Sequence, residues 1–317
     1  MITGFGQEPQ VVDLPDPVPG PGEIRVRIEA AGMNPFDWKV IDGALQGVVD
    51  HPFPIVMGSD GAGVVEALGA GVDDFRPGDR VYGQFMKVAL GRGSYAEQVI
   101  APADGKLALL PEALSFEVAA ALPTASVTAY QAIEALRLGE GDTVLVNGAS
   151  GGVGQSAVQL AAAAGARVVA TAPGDLADHL RGLGADEVVD FTEGPTDGQV
   201  LALHPDGIDA VLDLVSTAGQ AGPLVDLLRP GGVAISTNGA LEVEAMAARE
   251  LRGVNFYSDA TPEVLATVAG LADAGRLRVS IDATVPLEEA PAAVARARTG
   301  QARGKTVIVP AHRGASR

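Results

Sequence analysis

The chain of 317 residues carries 22 basic and 40 acidic side chains, a formal charge of -18, which repels phosphate backbones and anionic lipid and excludes nucleic acid and membrane surfaces as expected partners. It contains no cysteine, so disulfides, thiolate zinc sites and a thiol nucleophile are all excluded. With 47% hydrophobic residues, 41 glycines and 21 prolines there is material for a large core and two domains; no apolar run approaches the roughly 20 residues of a membrane span, no leader pattern is visible, and a cytoplasmic location is expected.

From the start to about Ala120 the pattern is short strands broken by proline and glycine turns. Residues 15–23 (PDPVPGPGE) form a rigid, extended approach with little helix potential. Residues 24–29 (IRVRIE) alternate apolar and charged at period two, as a half-buried strand does. Residues 54–66, 75–85 and 93–100 repeat the strand-and-turn texture, which predicts a compact, mostly antiparallel barrel-like unit. Residues 115–130 are helical in bias but interrupted at Pro123, and mark a crossover between domains.

Alternating strands and helices follow. Residues 143–147 (TVLVN) read as a buried strand, 148–154 (GASGGVG) as a glycine-rich turn and 155–164 as a helix. Glycine is needed where backbone approaches a pyrophosphate closely, and the first helical turn then offers N–H groups and the positive end of the helix dipole to the anion. Alanine stands at the first glycine position of the G-x-G-x-x-G pattern, so the turn gains its meaning from context: a strand at 167–171 after a helix of the length a βαβ crossover needs. Further strands are predicted at 187–190, 208–214, 232–236 and 253–257, with helices at 174–183 and 218–228, making a doubly wound parallel sheet. The tail gives helices at 262–274 and 288–299, a strand at 305–309 and a frayed terminus, HRGASR.

The segments PGPGEIRVRIEAAGMNPFDWKV, PFPIVMGSDGAGVV, FRPGDRVYG, GSYAEQVIAPADGKLALLP, ALPTASVTAYQAI, VLVNGASGGVGQSAVQLA, LGADEVVDF and ARGKTVIVP, in that order and spacing, resemble the medium-chain dehydrogenase/reductase superfamily in its zinc-free, quinone oxidoreductase-like branch. The resemblance implies an α/β fold: a GroES-like, β-barrel-type catalytic domain over 1–121, a Rossmann doubly wound parallel-sheet domain over 122–260 and a carboxy-terminal return to the catalytic domain over 261–317. It implies an active site in the cleft between them and a homodimer formed through the edge of the Rossmann sheet at 253–257.

Zinc-dependent members of the superfamily carry a Cys at the position of Asn34, a His-Glu pair at Ser59-Asp60 and a second Cys near Thr124. None of these survives here. His51, His179, His204 and His312 are scattered over predicted loops and a helix face, where solvated side chains are expected, so no metal site is assigned. The resemblance to the zinc-free branch implies hydride transfer from a nicotinamide to a quinone or an α,β-unsaturated carbonyl compound, a small-molecule acceptor, with the cofactor doing the hard step. By resemblance, Asn34, Thr124 and Thr128 face the nicotinamide end, Ser150, Gly151, Gly152 and Val153 with Gly154 hold the pyrophosphate, Thr171 lies by the adenosine ribose, and Asn238 and Phe256 border the nicotinamide. No side chain is assigned as proton donor: residues 42–45 hold no tyrosine, Tyr82 is expected in the core or at a rim with its hydroxyl in water, and water protonates the product.

The resemblance implies NADPH ahead of NADH. Ala172 stands where NAD enzymes carry an acid, which leaves room for a 2′-phosphate. Asp175 and Phe191 depart from the basic residue and tyrosine that NADPH-dependent relatives offer, and Arg181 is the one candidate to compensate. A different class of function, a non-catalytic or weakly active nucleotide-binding module on the same fold, is separated from the reductase by turnover across a panel of acceptors.

Overall fold

The computed structural model describes residues 1–300 and 303–311; His312 and the expected frayed end lie outside the described residues. Two compact units emerge, Met1–Val127 with Ala260–Arg317, and Thr128–Asp259.

In the first unit β1 (Glu23–Gly32) buries Ile24, Val26 and Ile28 on one face, realising the period-two pattern. The helix α1 (Pro35–Ile41), which sequence does not predict, has proline at its first turn, and Asp37 reaches back to accept from the Asn34 amide at 2.8 Å. Then come β2 (Asp60–Leu68), β3 (Arg80–Gln84), β4 (Gln98–Pro102), β5 (Leu107–Leu109) and α2 (Phe116–Ala121). Pro123 ends that helix and opens α3 (Pro123–Leu136), within which the two units divide.

The second unit continues with β6 (Thr143–Asn147), α4 (Gly152–Ala163), β7 (Arg167–Thr171), α5 (Ala177–Leu183), β8 (Glu187–Val189), α6 (Thr196–Leu203) and β9 (Ile208–Asp213). It closes with α7 (Gly222–Val225), β10 (Leu228–Ser236), α8 (Val243–Ala247) and β11 (Arg252–Asn255). The chain then returns to the first unit through α9 (Pro262–Asp273), β12 (Ile281–Pro286), α10 (Ala290–Ala297) and β13 (Lys305–Val309).

Among the described residues the first unit holds a seven-stranded sheet in the order β12-β13-β1-β2-β3-β5, with β4 also on β1. All its pairings are antiparallel except β12 with β13. The second unit is a six-stranded, wholly parallel sheet in the order β11-β10-β9-β6-β7-β8. Strand order therefore reverses between β6 and β9, the switch point outside whose carboxyl ends such sheets bind ligands. Successive residues of these strands serve opposite faces. Val144, Val146, Val168, Leu212 and Ile235 enter one apolar cluster, and Leu145, Val169, Val211 and Ala234 enter the other. Each fully buried leucine or isoleucine contributes about 1.5–3 kcal/mol.

Several predicted boundaries move. The helix expected at 155–164 starts at Gly152, inside the glycine run. A 3₁₀ turn, Gly174–Leu176, precedes α5. Only α7 forms within 218–228, because Gly219 sits at φ +80° and Pro223 follows, while Leu228 already belongs to β10. The edge strand expected at 253–257 is Arg252–Asn255.

Candidate active site

In the second unit the glycine-rich turn joins β6 to α4 at the switch point. Gly151 is the N-cap, with no side chain to satisfy the helix start, and the first i→i−4 bond runs from the Gln155 amide to the Gly151 carbonyl at 2.9 Å. The amides of Gly152, Val153 and Gly154 come before it, so they are the ones an α-helix leaves for an outside acceptor. The two glycines of the motif, Gly151 and Gly154, serve different ends. A Cβ on Gly154 would fall 2.2 Å from the Gly148 carbonyl oxygen and 2.5 Å from the Ala149 Cα, so close packing of turn and helix demands glycine there. A Cβ on Gly151 would meet nothing nearer than the Gly148 oxygen at 3.8 Å. No neighbour in the chain requires glycine at 151.

Polar side chains at the carboxyl ends of three adjacent strands brace this turn. Thr171, at the end of β7 and 1% exposed, accepts from the Gly148 amide at 2.8 Å and donates to the Asn147 amide oxygen at 3.0 Å. The Asn147 Nδ2 group donates in turn to Asp213 Oδ1 at 2.8 Å, and the amides of Val215 and Ser216 donate to the same oxygen at 3.1 Å. Asp213 Oδ2 is buried and has no partner. Thr171, expected beside the adenosine ribose, thus has its hydroxyl turned to the turn itself. Ser150 is half-exposed, and its carbonyl accepts from Gln155 Nε2 at 2.8 Å. Asn238 Nδ2 donates to the Leu214 carbonyl at 3.0 Å, just past β9. Phe256 follows β11, its amide bonded to the Ser236 carbonyl at 2.8 Å and its ring packed on the apolar cluster that contains Val146 and Ile235. Thr128 shares a hydrogen bond with the Ser258 hydroxyl at 2.8 Å.

In the first unit the four positions compared with zinc ligands do come together, around a cation of the chain's own. Asp60, fully buried, accepts from the Thr124 amide at 2.8 Å and the Thr124 hydroxyl at 2.7 Å, and from the Asn34 side chain. The Lys305 ammonium, 4% exposed, donates to the Asn34 Oδ1 atom and, at 2.6 Å, to the Met33 carbonyl. Asn34 is itself 2% exposed, gripped by Lys305 at its oxygen. Thr124 is half-buried and also accepts from Gln84 Nε2 at 3.0 Å. Asp37 completes the cluster, accepting from the Ser59 amide and hydroxyl, the Asn34 amide and, at 2.7 Å, the Tyr95 hydroxyl.

Burial dominates the electrostatics of the cluster. It pushes Asp60 up to about 6, against the pull of Lys305 and the Thr124 bonds; it raises Asp37 against its hydrogen bonds and the Lys305 charge, and lowers Lys305 against the charges of Asp60 and Asp37. Tyr82 departs from expectation. It is fully buried and donates to the Leu265 carbonyl, and burial raises its pKa, so its hydroxyl is not in water. His204 departs too: it is 9% exposed and paired with Glu187 at 2.8 Å, not solvated. Among the described residues no group of three or more His, Cys, Asp or Glu is placed to hold a metal ion, and no helix is long and apolar enough to cross a membrane.

Lys305, Asp37, Asn147 and Asp213 stand outside the residues expected from sequence. Their signal is positional: a lysine opening the apolar run KTVIV, and polar residues closing the buried runs TVLVN and IDAVLD.

Comparison with known proteins follows this geometry. Residues 20–112 match the family described as alcohol dehydrogenase GroES-like domain, and residues 183–308 the family described as zinc-binding dehydrogenase. The chain is 33% identical over 315 residues to a chloroplast envelope quinone oxidoreductase homolog of Arabidopsis thaliana, covering 94% of this chain and 93% of the other. It is 30% identical over 296 residues to an Arabidopsis thaliana NADPH-dependent alkenal/one oxidoreductase, covering 91% and 72%. The quinone oxidoreductase of Coxiella burnetii superposes with a TM-score of 0.84 at 30% identity, covering 96% of this chain and 97% of that one.

Proposed function

The chain is an oxidoreductase of the medium-chain dehydrogenase/reductase superfamily with quinone oxidoreductase-like relatives, and from that membership we propose a metal-independent reductase that passes a hydride from a reduced nicotinamide dinucleotide to a quinone or an α,β-unsaturated carbonyl compound. The observation that carries it is the turn at the switch point: three helix-opening amides beside Gly151, where the chain leaves free the space a Cβ would fill. A diphosphate would be met there by the three helix-opening amides. When bound, the reduced nicotinamide supplies the hydride. Val153 and the flanking glycines would hold the anion through their amides, while Thr171, Asn147 and Asp213 brace the turn.

Metal independence is supported by donor chemistry. Zinc in proteins takes thiolate, imidazole and carboxylate. The four corresponding positions here offer an amide, two hydroxyls and one carboxylate, and that carboxylate shares its surroundings with the Lys305 ammonium, which repels a divalent ion. A zinc ion does not fit this set. The Tyr82 and Tyr95 protons are committed to the Leu265 carbonyl and to Asp37, so water is read as the proton source for the product. NADPH is the coenzyme the resemblance implies, a small molecule is the acceptor, and the exposed edge of β11 is the surface through which two copies are read to pair.

Mixing the purified protein with NADPH or NADH and a panel of quinones and enones, with and without a chelator, tests the reading. Loss of nicotinamide absorbance that the chelator leaves unchanged supports it. Absence of turnover with either coenzyme, or activity that the chelator abolishes and zinc restores, overturns it.

A further inference from the structure

Between the tied ends of the glycine-rich turn lies one peptide that the backbone holds less firmly. Ahead of it, the Gly148 amide donates to the Thr171 hydroxyl at 2.8 Å and the Ala149 amide to the Thr171 carbonyl at 3.1 Å. Behind it, the Gln155 amide closes the first helical bond on the Gly151 carbonyl at 2.9 Å. The Ser150–Gly151 peptide in the middle makes a longer backbone bond, from the Gly151 amide to the Gly148 carbonyl at 3.3 Å. Steric contact does not fix it either, since glycine has wide conformational freedom and the space where a Cβ of residue 151 would stand is open to 3.8 Å.

A side chain from the helix supplies the restraint. Gln155, 2% exposed, donates from Nε2 to the Ser150 carbonyl at 2.8 Å. A carbonyl oxygen only accepts, so this bond decides which end of the Gln155 amide faces the turn. The Oε1 atom is thereby directed to α5, where His179 Nε2 stands 3.1 Å away. That oxygen also only accepts, so the imidazole carries a proton on Nε2. The place of His179 is set in turn by the core: its neighbour Leu180 is fully buried in the apolar cluster that holds Val158 of α4. A line of contacts thus runs from the α4–α5 packing through two side chains to the carbonyl just ahead of the N-cap. The C=O and N–H of a peptide point opposite ways, so rotation of this one changes the sign of the dipole that the turn presents to an anion.

We infer that Gln155, braced by His179, is a positioning residue for the coenzyme diphosphate: it locks the Ser150–Gly151 peptide, so that the helix-opening amides meet the anion already ordered. The inference rests on reading the turn as the diphosphate cradle and adds to it a residue that acts through the Ser150 carbonyl. Without the lock the peptide has to be ordered as the ligand binds, and the loss of one such hydrogen bond weakens binding about three- to tenfold.

The test is equilibrium binding of NADPH, NADH, ADP and adenosine to the coenzyme-free protein, read by calorimetry and ligand-observed NMR, with thermal midpoints recorded for each variant. Gln155→Met keeps the reach of the side chain and removes its donor. It is expected to weaken both coenzymes and ADP about three- to tenfold while adenosine, which has no phosphate, stays within about twofold. In turnover with a quinone that the wild-type protein reduces, the coenzyme KM is expected to rise by the same factor, with kcat held within about twofold. His179→Leu removes the brace and is expected to give a smaller loss on the same ligands, and His179→Gln, which returns a donor to that place, to recover it; this pair carries the comparison if Gln155→Met does not fold. Equal losses for ADP and adenosine, unchanged ADP affinity in Gln155→Met and His179→Leu, or a lowered kcat at unchanged KM overturns the inference while leaving the dinucleotide reading in place. Binding of neither coenzyme by the wild-type protein removes that reading, and the inference with it.

Discussion

Lys305 has a role that only its neighbours reveal. In the sequence it is one lysine at the start of a strand; in the fold it is the buried cation between Asn34 and Asp60. Removing one partner of a buried charge pair leaves the other uncompensated, at a cost of about 3–5 kcal/mol. Lys305→Met is therefore expected to lower unfolding free energy by that order in chemical denaturation, and to raise the Asp60 pKa further, since the ammonium is what pulls it down. Asp60 gives the pH dependence its sign. Because its folded pKa lies above the unfolded 3.8, at about 6, the protonated form stabilises the fold: that contribution is complete below about pH 4 and is lost as pH rises through about 6. A rise of that size is worth at most about 3 kcal/mol. Denaturation midpoints of Asp60→Asn, compared with wild type between pH 4 and 7, are expected to lack this segment of the profile; an unchanged profile assigns the titration elsewhere.

The turn between β6 and α4 separates two reasons for glycine. Gly154→Val drives a side chain into the Gly148 carbonyl and is expected to destabilise the second unit by several kcal/mol, on the order of a severe overpacking defect. Gly151→Val points a side chain into open space; its thermal midpoint is expected close to wild type, while coenzyme affinity, measured by titration, falls more than tenfold. A Gly151→Val protein that binds coenzyme normally sinks the cradle. The strands of this unit were legible because TVLVN, RVVAT and IDAVLD are short, mostly apolar and β-branched runs, and α4 and α5 because no proline interrupts them; α6 and α8 were not read from sequence. The helix expected at 218–228 failed on Gly219 and Pro223, whose backbone demands outweighed a favourable composition. The turn at 150–154 was legible as a strand-to-helix turn because glycines mark it, whereas the side-chain partnerships around it and in the first unit were least legible. Spacing along the chain carries no sign that Asn34, Asp60, Thr124 and Lys305 converge, nor that the Thr171 hydroxyl serves the turn.

At the level of the whole molecule the charge of -18 acts on every anionic visitor. A dinucleotide approaches against a repulsive field, so its association rate is expected to rise with ionic strength, opposite to the behaviour of a coenzyme steered in by a basic surface. Stopped-flow coenzyme binding at several salt concentrations measures this, and a rate that falls with salt points to a local cationic funnel instead. Family and domain composition were legible at this scale because motif order spans nearly the entire chain. The element order of the first unit was not, since α1, β5 and β12 are short or lack a clean period.

The first unit is stitched from both extremes of the polypeptide: β13 lies between β12 and β1, pairing with the Ala31–Gly32 end of β1. While the protein is being made, a ribosome that has released β1 and α1 must translate the entire second unit before the strand bearing Lys305 emerges. Throughout that interval Asp37 and Asp60 have no counter-ion and part of an otherwise complete sheet stands open. Nascent chains halted ahead of residue 305 should thus expose the amino-terminal segment to proteases and chaperones while the parallel sheet between is already resistant, so the half written first is the half finished last.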